Sequence, residues 1–273
     1  MLRSMFSAVS GLRSHQTMMD VTGNNVANVN TAGYKSTRTT FQETLTQLTR
    51  GGTAGAVGAA GQGGINPMQL GLGSQVASTD LVFTQGASQT TGRATDVAIQ
   101  GDGFFVVDTV NGQRFMRSGA FSLDNAGQLV APGGERVQGY PAGGGALGDI
   151  VVDPTLYNDV AIGADGTVTA RRADNGQLEV VGQLALARFP NPGGLVRAGN
   201  GLFAAAPAAG AAVIDTPGEQ GLGSLQAGTL EMSNVDLAQE FTNLILAQRG
   251  FQANARTIST SDELLQELVN LKR

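Results

Sequence analysis

The side chains that could do chemistry are few, and they are badly placed for it. The 273-residue chain has one histidine, His15, and no cysteine. That excludes a His-based triad, a multi-His metal site, a thiolate metal site and a Cys nucleophile. His15 is expected near the polar face of an N-terminal helix, as a surface or packing residue. Paired carboxylates can do acid–base work in principle. Here Asp149 and Asp153 flank an apolar run and Asp262-Glu263 opens a helical turn, so both pairs read as turn or solvated positions. Asp102, Asp124, Asp165 and Asp174 lie near turns without the spacing of a calcium loop. Gly101-x-Gly103 lacks the third glycine and following helix of a dinucleotide loop, so it reads as a turn. The reading is a non-enzyme with no cofactor and no metal.

The elements that would have to hold such residues speak instead of packing. Near the C-terminus, Leu237, Phe241, Leu244, Gln248, Phe251, Ala255, Ile258, Asp262, Leu265 and Val269 recur at alternating spacings of four and three. This is the heptad rhythm of a helix that lies along other helices. Leu246, Leu264, Leu268 and Leu271 widen its apolar face. Ser233 with Asp236 three residues on resembles a capping box and starts the helix near Asn234. From there about 40 residues make roughly 60 Å of helix, with Gly250 as the weak point. A shorter N-terminal version runs through Leu2, Met5, Val9, Leu12, Gln16 and Met19, weakened at Gly11. It fades at Gly23-Asn24-Asn25 and ends in turn residues from Asn30 to Gly33. Asn24, Asn25 and Asn28 suit the helix exit, as asparagine caps and tolerates left-handed turns, and together with Leu2, Met5, Val9, Leu12, Met19, Leu237, Phe241, Leu244, Gln248, Phe251, Ile258, Leu265 and Val269 they are the candidates for the subunit-assembly interface. Gln248 and Asp262 would either fix register between neighbours or face a water-filled channel.

Between the ends the pattern changes. Gly51 to Gly73 is low-complexity and reads as a flexible linker. From Gln75 to about Leu225, short apolar runs such as Phe104-Phe105-Val106-Val107 and Leu184-Ala185-Leu186-Ala187 alternate with Asn111-Gly112, Asp165-Gly166 and Asn175-Gly176. Asn-Gly and Asp-Gly pairs are hairpin turns. The fold class is therefore α+β: long, paired, coiled-coil-like terminal helices plus a central all-β domain of short antiparallel strands. The expected divisions are an N-terminal helical segment 1–35, a Gly-rich linker 36–74, a β domain 75–228 and a C-terminal helical segment 229–273.

Composition narrows the partners. Glycine is 40 of 273 residues, aromatics are 5%, tryptophan is absent and charged residues are only 14%, which suggests a weakly hydrophobic β domain. Net charge is −5 with the basic residues scattered, which argues against nucleic acid. No run is apolar enough for a membrane span, and the N-terminus lacks the continuous apolar stretch of a cleaved signal peptide. The economical arrangement sets the terminal helices side by side. That leaves apolar stripes too wide for two helices to cover, so the ends are expected to be mobile alone and to order on association. An intramolecular coiled coil in a monomer or simple dimer stays open on pattern alone.

The N-terminal block AVSGLRSHQTMMDVTGNNVANVNTAGYKSTRTTFQE, Ala8 to Glu43, resembles the signature of the axial flagellar rod and hook proteins. In that family a helix leads into N-N-x-A-N, here Asn24, Asn25, Ala27 and Asn28, and then G-[YF]-K, here Gly33-Tyr34-Lys35. The C-terminal block from Leu230 resembles the family's other half, and the stretches GINPMQLGLGSQVAS, FTQGASQTTGRATDVAIQGDGFFVV and RFMRSGAFSLDNAGQLV resemble it between. The resemblance implies subunits stacked helically into a hollow tube, terminal helices inside and β domain outside. It implies unfolded export by a type III pathway without cleavage. It implies contacts with neighbouring axial proteins of the rod and hook–filament junction, and with a hook cap during assembly. Arg249-Gly250-Phe251-Gln252-Ala253-Asn254 and Gly23-Asn24-Asn25 resemble the hook form. A bendable hook that passes motor torque to the filament is thus the first expectation; a distal rod subunit, which the chain length suits, is the alternative.

Overall fold

The computed structural model describes residues 2–54 and 64–271 and divides into two compact units. The first comprises residues 1–26, 37–80 and 237–273; the second comprises 27–36 and 81–236.

The first unit holds both long helices, α1 (Leu2–Ala27) and α2 (Leu237–Leu271), and four strands, β1 (Thr37–Glu43), β2 (Thr46–Arg50), β3 (Met68–Gly71) and β4 (Ser74–Leu81). β1 pairs with β4 and β2 with β3, so the chain leaves and returns along one two-stranded ribbon. Its register runs from Thr44–Gly73 through Gln47–Leu70 to Arg50–Met68, and a Thr53–Ile65 bridge extends it. The expected 36–74 linker is therefore corrected to strands at both flanks. The reason is composition: Thr37, Thr39, Thr40, Thr44, Thr46 and Thr49 are β-branched and fit a pleated strand. The central part of the Gly-rich run, 55–63, lies outside the described residues. α1 continues through Gly23-Asn24-Asn25 rather than fading there, and α2 starts at Leu237, directly after Asp236. Ser233 Oγ accepts from Val235 N at 3.3 Å in the turn before it.

The second unit is built on a 13-stranded antiparallel sheet. Its spine runs, in spatial order, through strands 157–162, 167–172, 178–184, 136–141, 104–109, 112–116, 202–204 and 196–199. The Asn111-Gly112, Asp165-Gly166 and Asn175-Gly176 pairs each sit between neighbouring strands, as expected. Strand Phe104–Thr109 is central, and its period-two alternation feeds two cores. Phe105 and Val107 join Phe121, Leu129, Val137, Leu184 and Leu186 on one face. Phe104 and Val106 join Phe115, Phe189, Leu195 and Phe203 on the other. A strand buried on both faces reads as a continuous apolar run, which is why Phe104-Phe105-Val106-Val107 shows no alternation in sequence. Aromatic residues are scarce overall, but seven of the eleven phenylalanines (83, 104, 105, 115, 121, 189 and 203) pack here edge-on or tilted, with centroids 4.8–6.0 Å apart. The expectation of a weakly hydrophobic β domain is thus corrected: few large side chains suffice because they are concentrated.

Candidate functional site

α1 and α2 lie antiparallel, and three contacts fix how. Asn25 Nδ2 donates to Glu240 Oε1 at 3.1 Å. A Cβ built on Gly250 would stand 2.5 Å from the His15 ring, and one built on Gly11 would stand 2.7 Å from Asn254 Nδ2. Both backbones therefore come close at glycine. The third element is the ribbon. Ser10 and Ser14 hydroxyls flank the backbone of Ser74, accepting from its N–H and donating to its carbonyl at 3.3 Å. Asn25 pairs with both backbone groups of Thr37, donating to its carbonyl at 2.9 Å and accepting from its N–H at 3.0 Å. A side-chain amide thus completes a strand end, as a backbone amide would.

The inward row of α2 is Glu240, Leu244, Ala247, Phe251, Asn254, Ile258, Ser261 and Leu265, every member buried or half-buried. It keeps the four-three rhythm and shares Leu244, Phe251, Ile258 and Leu265 with the row expected from sequence. The alternate members sit one residue earlier. The expected Leu237, Phe241, Gln248 and Val269 are exposed, with Phe241 at 49% and Val269 at 69%. The shift has a steric cause: close approach needs small side chains such as Ala247 and Ser261, whereas a search for bulk favours Phe241 and Val269. Ser261 stays satisfied by donating to its own helix, to the Thr257 carbonyl at 2.7 Å. On α1 the buried row is Ala8, Gly11, Ser14, Thr22 and Asn25. Met5, Leu12 and Met19 are half-buried, Val9 is more exposed, and the Leu2 side chain lies outside the described residues. Asn24 is exposed, and Asn28 accepts from the Thr31 backbone and hydroxyl in the turn beyond α1. Outward, α2 presents Leu237, Phe241, Ile245, Leu246, Leu264, Leu268, Val269 and Leu271. Leu237, Phe241 and Ile245 lie on one face and Leu246, Leu264, Leu268 and Leu271 on another, and large exposed apolar side chains at this density are unusual for a surface facing only water.

The second unit carries a cluster that sequence reasoning missed. Glu231 is 1% exposed and receives Lys35 Nζ at 2.7 Å, Arg117 Nε at 2.5 Å and Gly86 N at 2.9 Å. Arg117 also donates to the carbonyls of Gly103, Ile99 and Gly101, and Lys35 to that of Thr84. Burial would raise the Glu231 pKa; Arg117 and the hydrogen bonds from Lys35, Gly86 and Arg117 outweigh it and hold it below the ordinary carboxylate value. Burial lowers Lys35, against the pull of Glu231. The Gly33-Tyr34-Lys35 motif acquires a physical meaning here. Gly33 has φ +70 and its Cα lies against the Ser118 backbone, where a Cβ would stand 2.5 Å from Ser118 N. Tyr34 lies under the Arg197 guanidinium at 4.6 Å, and Lys35 is the cluster's cation. The remaining signal in sequence was a lone glutamate among apolar and small residues, Thr229-Leu230-Glu231-Met232.

Among the described residues no group of three or more His, Asp or Glu side chains could hold a metal, and no helix is long and apolar enough to cross a membrane.

One unit with concentrated β cores and one whose long helix leaves large apolar side chains exposed suit a structural subunit. Comparison with known proteins gives the class directly. Residues 5–35 match the family "flagella basal body rod protein", 98–170 the "flagellar hook protein FlgE/F/G D1 domain" and 226–271 the "flagellar basal body rod FlgEFG protein C-terminal". The chain belongs to the flagellar rod and hook axial protein family. Within it, the chain is 45% identical to the flagellar basal-body rod protein FlgG of Bacillus subtilis (strain 168) over 274 positions, covering all of both chains. It is 35% identical to FlgG of Borreliella burgdorferi over 278 positions, again covering both. Against the flagellar hook protein FlgE of Borreliella burgdorferi it is 30% identical over 444 positions, with both chains covered whole.

Proposed function

We propose that this protein is a distal rod subunit of the flagellar basal body, polymerising helically through its terminal helices into a hollow tube. The observation that carries this is the end-to-end match to rod relatives of the same length. The hook relative needs an alignment 444 positions long, so it has segments with no counterpart in these 273 residues. This favours the rod over the hook that the sequence motifs first suggest. Those motifs coincide here with packing positions: Gly250 and Asn254 serve the packing of α1 on α2, and Asn25 serves the ribbon, so they weigh less than the end-to-end match.

In this reading the two terminal helices pair as a coiled-coil-like inner layer, and the exposed apolar side chains of α2 are covered by neighbouring copies. Neighbouring axial proteins of the rod and hook form the ends of the stack. The subunit leaves the cell without a cleaved signal peptide, and the helices gain most of their order when those side chains are covered. Electron microscopy of purified protein under polymerising conditions tests the reading. Short, straight tubes are expected; long curved tubes would return the assignment to the hook, and a protein that stays monomeric at high concentration would remove the polymer.

A further inference from the structure

The two glycines that weaken the helical pattern in sequence lie at equivalent positions of a reciprocal contact. On α1, Gly11 stands four residues before His15; on α2, Gly250 stands four residues before Asn254. His15 lies over Gly250 while Asn254 lies over Gly11. Each helix thus offers one gap and one knob, and the two pairs run in opposite directions across the seam. The Asn25–Glu240 hydrogen bond lies on the same register: moving four residues along α1 from Gly11 to His15 moves four back along α2 from Asn254 to Gly250, and ten further brings Asn25 to Glu240. His15 is also held from the ribbon side by Phe41, ring centroids 6.0 Å apart, and its Nδ1 is buried without a hydrogen-bond partner. The histidine is therefore held there by shape, with Nδ1 contributing no hydrogen bond among the described residues.

We infer that Gly11, His15, Gly250 and Asn254 form a reciprocal lock that sets the antiparallel register of the terminal helices. A heptad seam can slip by one turn and still bury apolar side chains, so the apolar positions alone do not fix one register. The lock does, because a slip of four residues drives His15 into a side chain instead of a gap. Register matters because it decides which side chains of α2 are left facing outward. The inference rests on the assembly reading only for that last consequence; the lock itself is a property of one chain.

The lock and the plain alternative, that these glycines are weak points in two helices, predict opposite signs. Alanine is the better helix former, so Gly250→Ala raises the thermal midpoint of the helical signal if the glycine is only a weak point. The lock predicts a fall, larger for Gly250→Ala than for Gly11→Ala because the imidazole is stiffer than the asparagine amide. His15→Ala combined with Gly250→Ala should restore the midpoint, and Asn254→Ala should do the same for Gly11→Ala. The cysteine-free chain also permits a direct register assay in the full-length protein, dilute and concentrated. Met18→Cys with Ala247→Cys reports the native register and Met18→Cys with Phe251→Cys a one-turn slip. Oxidation should link the first pair in the otherwise native chain; Gly250→Ala should cut that yield at least fivefold, and His15→Ala should recover it. A raised midpoint, or native-register linking unchanged by Gly250→Ala, overturns the lock. Native-register linking in a chain that never polymerises would leave the lock standing and remove the rod.

Discussion

The two units spend their apolar side chains in opposite ways. The β unit draws seven phenylalanines into two cores and then pays the electrostatic cost of burying Lys35, Arg117 and Glu231 beside them, with every charge hydrogen-bonded. The helical unit buries small residues, Ala8, Gly11, Ser14, Ala247 and Ser261, and leaves Phe6, Phe241, Ile245 and Leu268 to solvent. The first arrangement is complete within one chain. The second is a close-fitting seam with its bulk turned outward, which is the distribution expected of a surface made to be covered. The difference teaches that burial of large side chains marks what a chain does for itself, and exposure of them marks what it does with others.

The largest effect that would test this contrast comes from removing α2. A chain ending at Asp236 should lose all assembly by sedimentation, while its β unit keeps its unfolding midpoint. The cut must not fall earlier. Asn234 accepts from Ser36 N at 2.7 Å and donates to Val82 O at 2.8 Å, so a chain ending before it would damage the β unit as well. Next in size is Glu231→Ala, which strands Lys35 and Arg117 and should cost about 3–5 kcal/mol. All three tyrosines, Tyr34, Tyr140 and Tyr157, lie in the β unit and there is no tryptophan, so intrinsic fluorescence during guanidinium unfolding reads that unit alone.

The same carboxylate gives an acid limb of known sign. The folded pKa of Glu231 is below its ordinary value of 4.5, so its contribution is complete above that pH and falls away as pH drops through the lower folded value. Glu231→Gln should flatten that limb in a stability-against-pH series. On the other unit, Phe241→Ser should leave monomer stability within about 0.5 kcal/mol. It should raise the critical concentration for assembly roughly 10- to 100-fold, the equivalent of about 1.5–3 kcal/mol of lost burial. The smallest effect belongs to Arg136→Ala. It breaks two 2.7 Å ion pairs, to Asp108 and Asp149, but Arg136 is 44% exposed, and the loss should be about 1 kcal/mol or less by the same fluorescence assay.

Much of this was legible in the residues. The hairpin turns were, because Asn-Gly and Asp-Gly demand a particular backbone sign, and the strand Phe104–Thr109 was, because its apolar run is too short for a helix. The long helices were legible from their rhythm, but the inward row of α2 was not. Hydrophobic patterning scores size, and a tight seam selects for smallness, so Phe241 entered the expected heptad row and Ala247 was passed over. The ribbon was obscured by the glycine-rich run beside it. The charged cluster was invisible because its members are far apart in sequence and each is unremarkable alone. The hook-like motifs weigh little for a related reason: Gly250, Asn254 and Asn25 are packing positions here, so their residue types answer to the fit of α1, α2 and the ribbon.

One separation in the chain has a consequence for timing. Lys35 meets Glu231 across 196 residues and Asn25 meets Glu240 across 215. Neither contact can form until almost the whole polypeptide is available, and closing loops of that length is slow as well as entropically opposed. A nascent chain emerging from its N-terminal end therefore carries Lys35 without its counter-charge, and α1 without its partner, for nearly the full duration of synthesis. Both units of this protein mature last, and together.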